Sequence, residues 1–166
     1  MYNVLILCTG NSCRSILAEA LLNAKAAGRL TAYSAGSHPT GTVNPNALAT
    51  LARNGLTTSG FLSQSWDDFS DKAIDWVITV CDNAAGETCP VFLNDSVKAH
   101  WGLPDPAKVT GTETVITEAF QATYDALAER VDMLLALPFE TYSREDLVEQ
   151  LNQIGTQAEL KGCVIV

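Results

Sequence analysis

The sequence predicts an α/β fold: a single domain on a four-stranded, mostly parallel sheet with helices on both faces. Three observations predict it. Short apolar runs stop abruptly at turn residues, as strands buried on both faces of a parallel sheet do. Stretches of helical period follow them. The two kinds of segment alternate along the chain, which implies right-handed βαβ units.

Tyr2 to Leu7 ends in consecutive apolar residues and is the first strand, and Thr9-Gly10-Asn11-Ser12 turns the chain. Ile16, Leu17, Ala20, Leu21 and Ala24 then recur at helical spacing from a start near Ser12 or Cys13, with Gly28 as the stop. Leu30 to Ala35 is the second strand, closed by Gly36. Asn44-Pro45 supplies an N-cap and a first-turn proline for a helix carrying Ala47, Leu48, Leu51 and Ala52 and ending at Gly55. Ser65 to Phe69 makes one short helix, and Ala73 to Cys81 is the third strand. Asp82 to Asp95 is polar and irregular, and Val97 to Trp101 is the fourth strand. Ile116, Phe120, Tyr124, Leu127, Val131 and Leu134 mark a long amphipathic helix reaching about Pro138. Ser143, with Asp146 three residues on, opens a last helix that ends at Gly155. The domain is expected to span 1–155, with 156–166 as a C-terminal tail.

Composition narrows the function. The 166 residues hold ten Lys+Arg against nineteen Asp+Glu, a formal charge of −9, and 47% of them are hydrophobic. That content builds a core and excludes a disordered chain. The acidic balance excludes a general nucleic-acid binder, which needs a basic face to replace phosphate counterions. No apolar run reaches the ~18–20 residues that span a bilayer, and no Lys/Arg-led signal segment opens the chain. Five cysteines, an odd number, fit a reducing cytoplasm with working thiols better than a disulfide-stapled secreted protein. With only His38 and His100, a histidine-rich metal site is not expected.

The chemistry concentrates in Cys8-Thr-Gly-Asn-Ser-Cys-Arg14-Ser15, wedged between a strand and a helix. Gly10 permits positive φ, so the amides of Thr9, Gly10, Asn11, Ser12, Cys13 and Arg14 can turn inward as an anion-binding nest. The helix start adds its positive dipole end, and Arg14 adds a planar fork matched to two oxygens of a tetrahedral oxyanion. In that field Cys8 is expected to be a thiolate at neutral pH, below the usual ~8.5, with Ser15 donating to it. The competing reading is a buried cysteine that merely ends a strand.

Asp105, between Pro104 and Pro106, is a carboxylate on a stiff loop, placed as a general acid or as a simple Asp-Pro turn. Cys81 and Cys89 have seven residues between them. Hydrolysis of a phosphoester needs one thiolate, whereas reducing the central atom of an oxyanion needs two electrons, which a thiol pair supplies by becoming a disulfide. Glycine and alanines in the intervening loop are expected to let Cys81 reach Cys8. Cys81 as a core residue, Cys89 as incidental, and a zinc site compete with this, although the spacing is wide for zinc and no histidine is near. In a parallel sheet the segments after Cys8, Cys81 and Asp105 gather at the carboxyl ends of the strands.

These residues resemble a known family. The chain is similar, over about residues 2–155, to the low-molecular-weight protein tyrosine phosphatase fold and, within it, to the arsenate reductases. The resemblance lies in Leu-Cys-Thr-Gly-Asn-Ser-Cys-Arg-Ser (7–15), Ser-Ala-Gly-Ser-His-Pro (34–39), Ser-Gln-Ser-Trp-Asp-Asp-Phe (63–69), Val-Cys-Asp-Asn-Ala-Ala-Gly-Glu-Thr-Cys-Pro (80–90) and His-Trp-Gly-Leu-Pro-Asp-Pro-Ala (100–107). It implies that Cys8 attacks arsenic, that Arg14 and the loop amides hold the oxygens, and that Asp105 protonates the leaving hydroxyl. Asn11 braces the loop and Ser15 tunes the sulfur. Cys81 then forms a disulfide with Cys8 as arsenite leaves, and Cys89 passes it on. The implied reductant is thioredoxin, or glutathione with glutaredoxin. No cofactor is tightly bound, and potassium sits near Asn11, Glu19 and Ser34. Phosphate competes with arsenate. The alternative is a phosphatase acting through phosphocysteine, against which stands the Pro106-Ala107-Lys108-Val109 that follows Asp105 where those enzymes carry aromatics.

Other residues are read plainly. Cys13 faces the helix–sheet packing or pairs off-pathway with Cys8, and His100 is a hydrogen-bonding strand end. Trp66, Trp76 and Trp101 are packing residues. Cys163-Val-Ile-Val166 mimics a prenylation box, but no basic run precedes it.

Overall fold

The computed structural model describes residues 2–81 and 90–165, with 157–165 as helix backbone alone. Four strands, β1 (Tyr2–Leu7), β2 (Leu30–Ala35), β3 (Trp76–Thr79) and β4 (Val97–His100), form one sheet in the order β2-β1-β3-β4. Every pairing is parallel. Among the described residues four α-helices accompany them: α1 (Arg14–Lys25), α2 (Pro45–Arg53), α3 (Glu113–Leu135) and α4 (Arg144–Ile165). The central strands read as continuous apolar runs because Val4 to Leu7 and Trp76 to Ile78 are all buried, as double-sided cover requires.

Helix α1 packs on β1 and β2, α4 on β4, and α3 on α1 and α4. On the other face Tyr33 of β2 meets Phe69, at 5.6 Å between ring centroids. Phe69 belongs to the one-turn 3₁₀ helix Trp66–Phe69, which Ser65 and Asp68 close with a capping box. Helix α2 starts as its residues dictate: Asn44 Oδ1 accepts the Asn46 amide at 2.8 Å and Pro45 follows the cap.

Two elements depart from expectation. The third strand, Trp76–Thr79, is shorter than Ala73 to Cys81: at Asp75 the side-chain Oδ2, in place of a ladder carbonyl, accepts the Asn3 amide at 2.8 Å, while the Asp75 backbone still bonds to Asn3 O and Val97 N. Gly155 does not stop the last helix, which runs on to Ile165. Its reason is proximity: a Cβ there would lie 2.2 Å from the His100 carbonyl oxygen, so only glycine lets α4 press on the end of β4. Gly28 likewise follows the end of α1 at Lys25 by a short turn, with Ala27 at φ 52 and Gly28 at φ 83.

The sheet order places the site. From β1 the chain goes to β2 on one side, and β3 lies on the other, so strand order reverses between β1 and β3. Cys8 and Cys81 follow those two strands.

Candidate active site

Cys8 extends β1 by one residue, its amide donating to the Ala35 carbonyl at 3.2 Å, and the chain then loops back into α1. The loop is held from outside by its carbonyls. Thr9 O accepts His38 N at 3.0 Å, Gly10 O accepts Thr40 N at 3.0 Å, and Ser12 O accepts Asn44 N at 2.9 Å. Ser63 Oγ adds a bond to Gly10 O at 3.2 Å. A trans peptide carries its N–H opposite its C=O, so carbonyls drawn outward turn the amides of Gly10 and Cys13 inward. Cys13 caps α1 without a side-chain hydrogen bond, leaving the first amides of the helix for a guest.

The left-handed residue of the loop is Asn11, at φ 45, and not Gly10. Asn11 is fully buried and over-determined. Its Nδ2 donates to Ser15 Oγ and Ser34 Oγ, both at 2.9 Å, and its Oδ1 accepts Gln64 N at 2.8 Å. Its own amide turns back to Cys8 O at 3.3 Å, so Asn11 contributes bracing and no inward donor. Ser15, buried beside it, accepts from Asn11 and keeps its hydroxyl proton to give. Gly36 was not among the residues the sequence singled out for the site, yet a Cβ there would stand 2.3 Å from Thr9 O and 2.6 Å from Cys8 O. Gly36→Ala is expected to push the loop outward, costing about 1–3 kcal/mol in urea unfolding and weakening phosphate binding in calorimetry.

Cys81 lies next to the loop in the resting site. Leu7 pairs with Thr79, and Val80 N donates to Leu7 O at 3.0 Å, so the register carries Cys81 to the level of Thr9. Thr9 N donates to Cys81 Sγ at 3.4 Å, and Thr9 Oγ1 stands 3.7 Å from the same sulfur. Cys8 and Cys81 are both buried, and the Cys81 side chain lies near enough to act on the Cys8 thiol. The approach expected of a flexible loop is therefore already made by strand register. Cys89 lies outside the described residues.

The β3–β4 ladder continues past the strands through Trp101 N to Thr79 O at 2.7 Å and Leu103 N to Val80 O at 3.1 Å, bringing the next turn over the loop. Asp105 caps that turn, its Oδ1 accepting Ala107 N at 3.0 Å. Its Oδ2 lies 3.6 Å from Arg14 Nη2, and Cys13 Sγ donates to its Oδ1 at 3.6 Å. Cys13 thus faces the acid, not the helix–sheet packing. Burial and the nearby Asp105 charge raise its thiol to about 11, so it remains protonated. Arg14 is anchored by Nη1 to Leu103 O at 2.8 Å, while its buried Nε has no protein partner.

The resting thiolate expected at Cys8 is not what this arrangement favours. The Cys81 hydrogen bond and burial push the Cys8 thiol above its usual value, against the lowering pull of Arg14. Arg14 is shared with Asp105 and Leu103 O, which dilutes its field at the sulfur. Behind the loop Ser34 Oγ donates to Glu19 Oε1 at 2.5 Å, and burial raises the Glu19 carboxyl to about 7 against that bond. The other sequence readings settle simply. His100 Nδ1 is 2.7 Å from Thr79 Oγ1, and Trp76 and Trp101 are core. Among the described residues no cluster of His, Cys, Asp and Glu is built to hold a metal ion, and no helix is long and apolar enough to cross a membrane.

A parallel α/β sheet with a cysteine and an arginine closing an amide loop at its switch point, and an aspartate above, defines an α/β fold with an anion-receiving loop at the carboxyl ends of its strands. The chain belongs to the low molecular weight phosphotyrosine protein phosphatase family, whose model matches residues 3–151. It is 38% identical to an arsenate reductase of Bacillus licheniformis over 77% of this chain and 91% of that protein. A solved arsenate reductase in the phosphate binding state superposes with a TM-score of 0.69 at 29% identity, over 82% of this chain and 98% of the other. A thioredoxin-dependent arsenate reductase of Corynebacterium glutamicum gives a TM-score of 0.57 at 26% identity, over 81% of this chain and 63% of its own.

Proposed function

We propose that this protein reduces arsenate to arsenite, a detoxifying reaction, by a two-thiol relay. The observation that carries the reading is the meeting of Cys8 and Cys81 at one amide loop beneath Arg14 and Asp105. Cys8 sulfur attacks arsenic as its thiol proton passes to a bound arsenate oxygen. The As–OH bond breaks, and Asp105 gives the leaving hydroxyl a proton so that it departs as water, the Cys81 thiol proton returning to Asp105 in the next step. Cys81 sulfur then attacks Cys8 sulfur. The S–S bond forms, the S–As bond breaks with its electron pair on arsenic, and arsenic(III) leaves as arsenite. Per turnover, arsenate and two thiols give arsenite, one disulfide and water.

The disulfide is returned to thiols by an external dithiol protein of the thioredoxin type, as the name of the Corynebacterium relative suits, or by glutathione with glutaredoxin. Cys89 serves as the exit thiol. Such reductants place the enzyme in the cytoplasm. Phosphoester hydrolysis through phosphocysteine remains a side reaction of the same loop, since phosphate and arsenate share shape and charge. The paired thiols favour reduction over it. Arsenite release, measured in parallel with thioredoxin and with glutaredoxin systems, tests the reading: release with thiol consumption in either supports it, and hydrolysis of phosphoesters alone rejects it.

Potassium fits behind the loop at Glu19 and Ser34, where a part-buried carboxylate and a buried hydroxyl offer oxygens side by side. Asn11 is its neighbour through Ser34 and acts as a brace, because its oxygen is taken by Gln64 N. Bound there, the cation supplies a counter-charge for Glu19. Without it, the folded carboxyl holds a proton that the unfolded chain releases between pH 4.5 and about 7. Stability is therefore present at low pH and lost as pH rises through that window, by on the order of 3 kcal/mol. Urea unfolding at pH 5 and pH 8 is expected to show this slope, Glu19→Gln to flatten it, and potassium to raise stability at pH 8 only.

A further inference from the structure

We propose that Cys81 also gates the loop against oxyanions: its sulfur takes the Thr9 N–H that a guest oxygen needs, and an oxyanion binds by displacing it. The inference rests on the reading of the Cys8 loop as an oxyanion cradle. Cys81 is 3% exposed and delivered by strand register, so its sulfur is a built part of the loop. Thr9 donates its amide to that sulfur at 3.4 Å, and its hydroxyl oxygen lies 3.7 Å from it. Two further receiving groups are also engaged by protein atoms, while the Gly10 and Cys13 amides stay open. The Arg14 guanidinium is held by Leu103 O and Asp105, and the Cys8 thiol by Cys81. A guest thus meets open amides at the helix start but must move protein atoms at Thr9 and Arg14.

The consequence is specificity. Phosphate has to displace Cys81 and meets a protonated Cys8, so phosphoester hydrolysis is slowed. Arsenate meets the same barrier, but once its arsenic is bonded to Cys8 the displaced Cys81 is at hand to attack, and the thiols reduce arsenic(V), not phosphorus(V). Cys81 is therefore a specificity-determining residue before it is a reductant.

The test uses inorganic phosphate and iodoacetamide footprinting of the intact wild-type protein, read thiol by thiol by mass spectrometry. Saturating phosphate is expected to slow alkylation of Cys8 and to speed that of Cys81, opposite signs that general rigidification does not produce. Cys81→Ala, checked by circular dichroism, is expected to bind phosphate up to about tenfold tighter, the worth of the one hydrogen bond that the guest no longer has to break. It should also hydrolyse p-nitrophenyl phosphate faster while losing reductase turnover. Protection of both thiols, an unchanged Cys81 rate, or an unchanged phosphate affinity in a folded Cys81→Ala overturns the gate. Failure of phosphate to protect Cys8 at all overturns the cradle and the gate together. Absence of arsenite release with the footprint intact rejects the reductase reading alone.

Discussion

Cys8→Ser is expected to end arsenite formation, by on the order of 10⁴-fold or more, the scale on which removal of a covalent nucleophile acts. A serine hydroxyl is a far weaker nucleophile than a thiol and cannot become half of a disulfide. The substitution is close to isosteric at a site only 5% exposed, with the loop held by bonds that do not involve the sulfur. The variant should therefore fold with wild-type stability and bind phosphate at least as well as the wild type. Arsenite quantified by chromatography and phosphate affinity by calorimetry read the two properties separately. Loss of both in parallel would mean that the loop had collapsed, and the result would say nothing for Cys8 as nucleophile.

Asp105→Asn is expected to slow formation of the Cys8–arsenic adduct by about 10²–10⁴-fold, the usual contribution of a positioned proton donor. Asparagine can still accept the Ala107 amide, so the turn that carries it survives. The lost ion pair with Arg14 spans 3.6 Å between partly exposed groups, which limits the structural cost to about 1 kcal/mol or less. Phosphate affinity should therefore change little, and single-turnover kinetics should carry almost the whole effect. Equal losses in binding and in the first chemical step reject the acid role.

The strand–turn–helix around Cys8 was legible because its signals are local: an apolar run, a turn cluster, then a change of period. Asn44-Pro45 and the Ser65-Asp68 box were legible for the same reason, since a cap and its partner lie within one turn. The loop's bracing was not. Gln64 reaches Asn11 across 53 residues, and nothing in either segment marks the pairing. Gly36 and Gly155 read as stops, because glycine after a periodic run usually is one; their true reason, close approach of a distant carbonyl, exists only in three dimensions. Propensity points to Gly10 for the positive φ, and tertiary bonds give it to Asn11. The Cys8 thiolate was inferred from Arg14 and the helix start alone. Strand register, which brings Cys81 to the loop, and burial, which penalises the anion, both reverse that inference in the resting site.

Acid-quenched mass spectrometry of the reduced enzyme after a single turnover with arsenate, without external reductant, tests the relay most directly. One arsenite per chain together with a Cys8–Cys81 disulfide as the first linkage to accumulate is the expected result. Arsenite appearing with Cys81 still a free thiol, or with Cys8 joined first to any other sulfur, contradicts it.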